Sequence, residues 1–505
     1  MKVGKVIACV FIAALMTCSY GCSKISRPAS SVNPSEQQAN SNMKAISIYP
    51  HRADTWVGDP IPYYDEASKT YHIYYLEDLR DGDSGYHPWS LFQTKDFVSF
   101  TDKGKVIPYS KDTGAQDNAL GTGSVIRDLH GIYHAFYTGH NDGLAQKEAL
   151  MQATSSDLLH WKKRSGWMLR PNSNYSQTDF RDPAVLYIKP KNEYWMLVTT
   201  RSQGKAVLAR YTSADLENWK DTGIFFTSDM GDGNMECPTL VQFGSWWYLT
   251  FSDQSPNRVV HYRISQSPDG PFSKPAKDAF DGNGFYAGKT VTNGTQLYLC
   301  GWIPTRKNYD DNLDYDWAGN LAVHQLVQCK DGTLTCAPPK SLLQKLSNPS
   351  KPKTAYIGSG ISYENGEFVF QKPNSWVFFQ PWNKKTSVRI TGLFQAKKST
   401  KTFGFRFAAE KNGMSGLRYQ IDLQKGTISF YNRSFANAKP ESMVQAKFSN
   451  INSIPFTFLA DDSACVLYMG GSALSARMFS MPGTNWGIWS NDMGLTVRNL
   501  QVFTV

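Results

Sequence analysis

Arg181-Asp182-Pro183-Ala184-Val185, then Tyr194-Trp195-Met196-Leu197-Val198, then Ala214-Asp215-Leu216-Glu217-Asn218-Trp219: this succession decides the fold, because it recurs along the chain. Gly58-Asp59-Pro60-Ile61 leads to Tyr71-His72-Ile73-Tyr74-Tyr75, Gly121-Thr122-Gly123-Ser124-Val125 to Tyr133-His134-Ala135-Phe136-Tyr137, and Glu236-Cys237-Pro238-Thr239-Leu240 to Trp247-Tyr248-Leu249-Thr250-Phe251. A fifth unit pairs Tyr286-Ala287-Gly288-Lys289-Thr290 with Leu297-Tyr298-Leu299. In four units an aspartate then precedes an aromatic residue, and these aspartates (Asp96, Asp157, Asp215, Asp269) lie 61, 58 and 54 residues apart. Short β-type runs repeated at such a period are the signature of a β-propeller. Five units over residues 46–346 predict five blades in an all-β chain.

Inner strands of a propeller open near its axis, so the residues that open them converge on one pocket. Three openings are acidic: Asp59, Asp182 and Glu236, each followed within two residues by proline. A single Asp-Pro is an ordinary turn initiator. Three acids in register in separate units, with apolar strands behind them, instead line one cleft. Glycoside hydrolysis needs such carboxylates, one to attack or support the sugar cation and one to protonate the leaving oxygen.

Outward from the repeats, Ser347-Asn348-Pro349-Ser350-Lys351-Pro352-Lys353 reads as a linker. Beyond it, runs such as Trp376-Val377-Phe378-Phe379, Phe403-Gly404-Phe405-Arg406-Phe407 and Thr427-Ile428-Ser429-Phe430-Tyr431 carry no helical period. Residues 347–505 are therefore expected to form a β-sandwich packed on the propeller. Toward the N-terminus, Lys2 and Lys5 precede an apolar run from Val6 to Met16, too short for a stable membrane span. Ser19-Tyr20-Gly21-Cys22-Ser23 follows and looks like a bacterial lipoprotein cleavage site, with Cys22 as the lipidated residue and 1–22 as signal peptide. Residues 23–45, rich in Ser, Asn, Gln and Pro, read as a flexible tether. An outer-membrane lipoprotein, periplasmic or surface-facing, is expected, with the membrane reached only through the lipid.

The 505 residues exceed one hydrophobic core and require more than one domain. Lys and Arg number 53 against 43 acids, scattered without a basic stripe, so no nucleic-acid partner is expected. No His or Cys spacing marks a metal site and no Gly-rich loop marks a phosphate, so neither metal nor cofactor is expected. Cys329 and Cys336 flank a hairpin-like stretch and are candidates for a disulfide, whereas Cys237, Cys300 and Cys465 read as buried thiols. A monomer acting on an oligo- or polysaccharide fits this composition.

Taken together, Trp56-Val57-Gly58-Asp59-Pro60-Ile61-Pro62, Arg181-Asp182-Pro183, Glu236-Cys237-Pro238 and the trailing strand-rich module resemble glycoside hydrolase family 32, the invertases, levanases and inulinases. The resemblance covers nearly all of the chain beyond the tether. It implies a retaining mechanism on fructosyl linkages, with Asp59 as nucleophile, Glu236 as acid/base and Asp182 as stabiliser of the transition state. It also implies that Arg181 orients Asp182 and contacts the sugar. Trp56, Trp89, Tyr286, Trp302 and Trp317 offer stacking surfaces, and the expected sugar-binding set is Trp56, Trp89, Ser124, Arg181, Cys237, Tyr286 and Trp317. Two family amides are missing: Gly58 stands for the asparagine before the nucleophile, and Leu76 for the glutamine closing the Tyr71–Leu76 run. Two other classes share parts of the pattern: an inverting five-bladed hydrolase of the arabinofuranosidase or xylosidase type, and a non-catalytic glycan-binding lipoprotein.

Overall fold

The computed structural model describes residues 47–80, 87–254, 257–409, 416–432 and 439–504. The expected signal peptide, Cys22 and tether lie outside the described residues. Five antiparallel blades follow in chain order. Blade 1 comprises strands Trp56–Asp65, Thr70–Asp78, Trp89–Thr94 and Phe100–Ile107, and blade 2 Ala119–Arg127, Tyr133–His140, Glu148–Ser155 and Lys162–Leu169. Blade 3 runs through Phe180–Ile188, Glu193–Ser202, Lys205–Ser213 and Lys220–Thr227. Blade 4 has only Met235–Phe243, Trp246–Asp253 and Val260–Ser265, its outer edge reduced to bridges at His261–Ala279 and Ile264–Ser273. Blade 5 holds Tyr286–Thr292, Leu297–Arg306, Tyr315–Gln328 and Leu334–Ala337.

The repeated aspartate has a local cause. Asp157 accepts the backbone N–H groups of Leu159 and His160 and a hydrogen bond from Ser155 Oγ, and Asp215 does the same with Glu217, Asn218 and Ser213. Asp96, with Val98, Ser99 and Thr94, completes the series. Each carboxylate thus folds the turn between the third and fourth strands and holds the next residue (Phe97, Leu158, Leu216) at positive φ. Those turns also staple neighbours: Tyr74 of blade 1 donates to Leu158 O, and Gln152 of blade 2 to Leu216 O. Asp269 breaks the series; its carboxylate pairs with Lys191 and Arg210 of blade 3 instead.

The ring closes through the chain's first described strand: Val57 pairs with Gly319, so blades 1 and 5 form one eight-stranded sheet. A short helix, Lys340–Lys345, leads to the sandwich. There Val388–Ala396 alternates strictly between buried and half-buried positions, the period of a strand with one face in the core. Two sheets meet over Phe394, Phe403, Phe405, Phe407, Phe430, Phe456 and Phe458.

Buried polar contacts lock the sandwich onto the propeller. Asp281 accepts from Ser475 N (2.8 Å) and Oγ (2.6 Å) and contacts His324 Nε2 at 3.1 Å. Arg477 donates to the carbonyls of Ile303 and Pro304 at 3.0 and 2.9 Å, and Arg306 grips Glu441 with both terminal nitrogens. Cys329 and Cys336 do flank a hairpin, but both are free thiols. Cys329 is exposed at the turn while Cys336 pairs with Leu326 and points into the core, so they do not form the candidate disulfide.

Candidate active site

Every inner strand carries the same irregularity. Register with the second strand slips between Gly58 and Ile61, Leu120 and Gly123, Arg181 and Ala184, Glu236 and Thr239, and Tyr286 and Lys289. These bulges re-aim side chains toward the axis. Four of the five put a residue at positive φ, namely Asp59 (38°), Asp182 (58°), Cys237 (53°) and Ala287 (52°). Glu236 is therefore not in register with the two aspartates, which corrects the expectation of three acids in register. It stands one position earlier, with Gly58, Arg181 and Tyr286.

Neighbours in that earlier ring touch. Arg181 Nη2 donates to Glu236 Oε1 at 2.9 Å, and Tyr286 Oη donates to Glu236 Oε2 at 2.7 Å, so blades 3 and 5 clamp the carboxylate of blade 4. Arg181 is itself held by Asp179 at 2.9 Å, and Arg258 lies over the Tyr286 ring at 4.5 Å. Burial and the Glu236 charge keep the Tyr286 phenol neutral and a donor, pushing its pKa well above the ordinary value. In the bulge ring, Asp182 accepts from Cys237 N at 2.8 Å, and its own N–H donates to Thr138 Oγ1 at 2.9 Å. Asp59 receives the indole N–H of Trp302 at 3.2 Å.

The carboxylates feel one another. Burial first, then the charges of Asp182 and Glu236, raise Asp59 to about 7. Burial also raises Asp182 to about 6 against the opposing pull of Arg181, with Glu236 adding to the rise. Lys289, fully buried in blade 5, opposes both shifts. Its ammonium donates across the axis to Thr122 Oγ1 (2.7 Å) and Gly123 O (2.6 Å) of blade 2. Sequence reasoning missed Lys289, although a lysine where the other inner strands carry Ile61, Gly123, Ala184 and Thr239 is out of pattern.

The other expected sugar contacts divide. Tyr286, Trp302 and Trp317 line a cavity of about 300 Å3 beside the carboxylates, joined by Arg258, Asn283 and Glu441. Cys237 belongs to the site through its backbone N–H, while its buried thiol sits in an apolar cluster with Tyr286 and Trp302. Trp89 is a correction: it is wholly buried against Tyr74 and Tyr137, with its N–H on Gly121 O, so it is core. Ser124 is another; it accepts from Val185 N and donates to Pro183 O, stitching blades 2 and 3 beyond the bulge. Trp56 stacks on His51 at 4.3 Å and does not line the cavity.

The sequence and the fold have counterparts among known proteins. The family model "Glycosyl hydrolases family 32 N-terminal domain" matches residues 51–338. An extracellular exo-inulinase of Meyerozyma guilliermondii is 22% identical over 381 residues, covering 69% of this chain and 68% of its own. An acid beta-fructofuranosidase of Solanum lycopersicum is 28% identical over 305 residues, 54% of this chain and 47% of that one. Among solved structures, fructan 1-exohydrolase IIa of Cichorium intybus superposes with a TM-score of 0.67 at 16% identity, covering 92% of this chain and 98% of the other. Sucrose-6-phosphate hydrolase of Lactobacillus gasseri gives 0.68 at 18% identity, covering 92% and 94%.

Proposed function

The chain belongs to glycosyl hydrolase family 32, and we propose that it hydrolyses terminal fructosyl linkages of sucrose-like saccharides or fructans with retention of configuration. The observation that carries this reading is the clamp on Glu236 by Arg181 and Tyr286, in one buried group with Asp59 and with Asp182 held by Cys237 N–H. Asp59 attacks the anomeric carbon and forms the glycosyl-enzyme. Glu236 protonates the leaving oxygen and then takes a proton from water. Asp182, oriented by Cys237 N–H and charge-balanced by Arg181, steadies the positive charge of the transition state. The reactive form carries the charge on Asp59 and the proton on Glu236.

Family membership argues against the inverting arabinofuranosidase reading. The direct test is methanolysis of sucrose: a retaining enzyme yields a methyl fructoside with the substrate's anomeric configuration, and the opposite anomer overturns the mechanism. We further propose acylation at Cys22 and display on an outer membrane, supported by Lys2, Lys5 and the short apolar run before it. Full-length protein should then partition into detergent and Cys22→Ala should not; a wild type found free in the medium overturns this.

A further inference from the structure

In the ring of positions just before the bulges, blades 3, 4 and 5 present Arg181, Glu236 and Tyr286, and blade 1 presents Gly58. Gly58 has room for nothing more. A Cβ added there would meet Cη2 of Trp317 at 2.2 Å and Cζ2 at 2.4 Å, far inside carbon–carbon contact. The indole of Trp317 therefore stands where a side chain of residue 58 would stand.

Trp317 is built to be there. Pro304 pairs with Gly319 and Arg306 with Tyr315, so Asp316, Trp317 and Ala318 bulge opposite Thr305, with Ala318 at φ 62°. Arg80 of blade 1 donates to Trp317 O at 2.6 Å and pairs with Asp316, while His87 stacks on the indole at 4.3 Å. On its other side the ring meets Trp302 edge to face at 6.1 Å, and Trp302 donates to Asp59.

Resting on the fructosyl reading above, we infer that Gly58 and Trp317 form one specificity device, in which a rigid aromatic wall takes the place of the side chain before the nucleophile. The fructosyl unit at Asp59 lies with an apolar C–H face on the indole and receives no polar contact from residue 58. A substrate lacking a hydroxyl on that face leaves no buried polar partner at residue 58 unpaired, so the class accepted includes terminal furanosyl units altered there.

The test is a double-mutant cycle with sucrose as substrate. Gly58→Ala should push the indole aside and lower kcat/KM roughly ten- to a hundredfold, and Trp317→Ala should lower it comparably, chiefly by raising KM. Once Trp317 is alanine, adding Gly58→Ala should change little. Additive losses, or Trp317→Ala with KM unchanged, overturn the inference. Thermal unfolding of the same four proteins reads the packing without any substrate: Gly58→Ala should lower Tm in the wild-type background and not beside Trp317→Ala. If this coupling appears but the wild type releases no fructose, the fructosyl reading fails and the aromatic wall stands. If fructose is released and Tm shows no coupling, the wall fails and the fructosyl reading stands.

Discussion

The inner strands of the propeller have two halves, and they are built on opposite rules. Before and at the bulge they carry Asp59, Arg181, Asp182, Glu236 and Tyr286, with Asp59 and Asp182 at positive φ. Past it they run regularly through Ile61, Val125, Val185, Leu240 and Val291, around a second axial cavity of about 240 Å3. One strand thus spends its first residues on chemistry and the rest on holding the ring together. The bulge separates the two tasks, and the expectation is that a carboxylate before it can be altered without disturbing the fold, and an apolar residue past it without losing activity.

The largest effect expected from this division is on Asp59. Asp59→Asn keeps shape but removes the attacking charge, and kcat should fall by about 10⁴ or more. Glu236→Gln should follow, with a loss of about 10²–10⁴ on sucrose that shrinks on a fructoside whose leaving group needs no proton. Equal losses on both substrates would show that Glu236 is not the acid. Lys289→Met comes next: its charge holds the Asp59 and Asp182 pKa values down, so losing it should move the acid limb of the kcat/KM profile to higher pH. An unmoved limb would make Lys289 a strut between blades 5 and 2 only.

On the other half, Leu240→Ala should lower stability by roughly 2–3 kcal/mol through the cavity it leaves, yet keep kcat/KM near wild type. A large activity loss there would erase the distinction between the halves. The smallest effect has the opposite sign. Asp59 has a folded-state pKa of about 7 against 3.8 for a free carboxyl, so its ionisation opposes folding. The penalty is absent below about pH 4, grows with pH and is complete above pH 7. Asp59→Asn should accordingly unfold later than wild type at pH 8, by about 1–3 kcal/mol after screening through the open cleft, and gain nothing at pH 4.

Much of this was legible in the residues, and what was not has physical reasons. The blade period shows because each unit buries a strand such as Tyr71–Tyr75 or Tyr194–Val198 and turns on an aspartate, and both leave local patterns. The acids show because Asp59-Pro60 and Arg181-Asp182-Pro183 sit beside apolar strands. The offset of Glu236 was written in the prolines, which follow Asp59 and Asp182 by one residue but Glu236 by two, and counting all three acids as in register passed over it. Trp89 and Trp317 look alike as exposed-or-buried candidates, and only tertiary packing sends one to the core and the other to the cleft. Gly58 read as a missing contact because its occupant comes from the far end of the propeller sequence.

The pairing of Val57 with Gly319 sets when the enzyme comes into being during synthesis. The strand bearing Asp59 emerges first and the strand bearing Trp317 only after blades 2 to 4, so the loop between them closes once all intervening blades exist. Such sequence-distant contacts are slow to form. A chain still on the ribosome before Tyr315 holds Asp59 with no Trp317 beside it and no partner strand for Val57. Activity cannot precede ring closure, and the first appearance of sucrose cleavage in a synchronised translation would set the latest time for that event without any spectroscopic label.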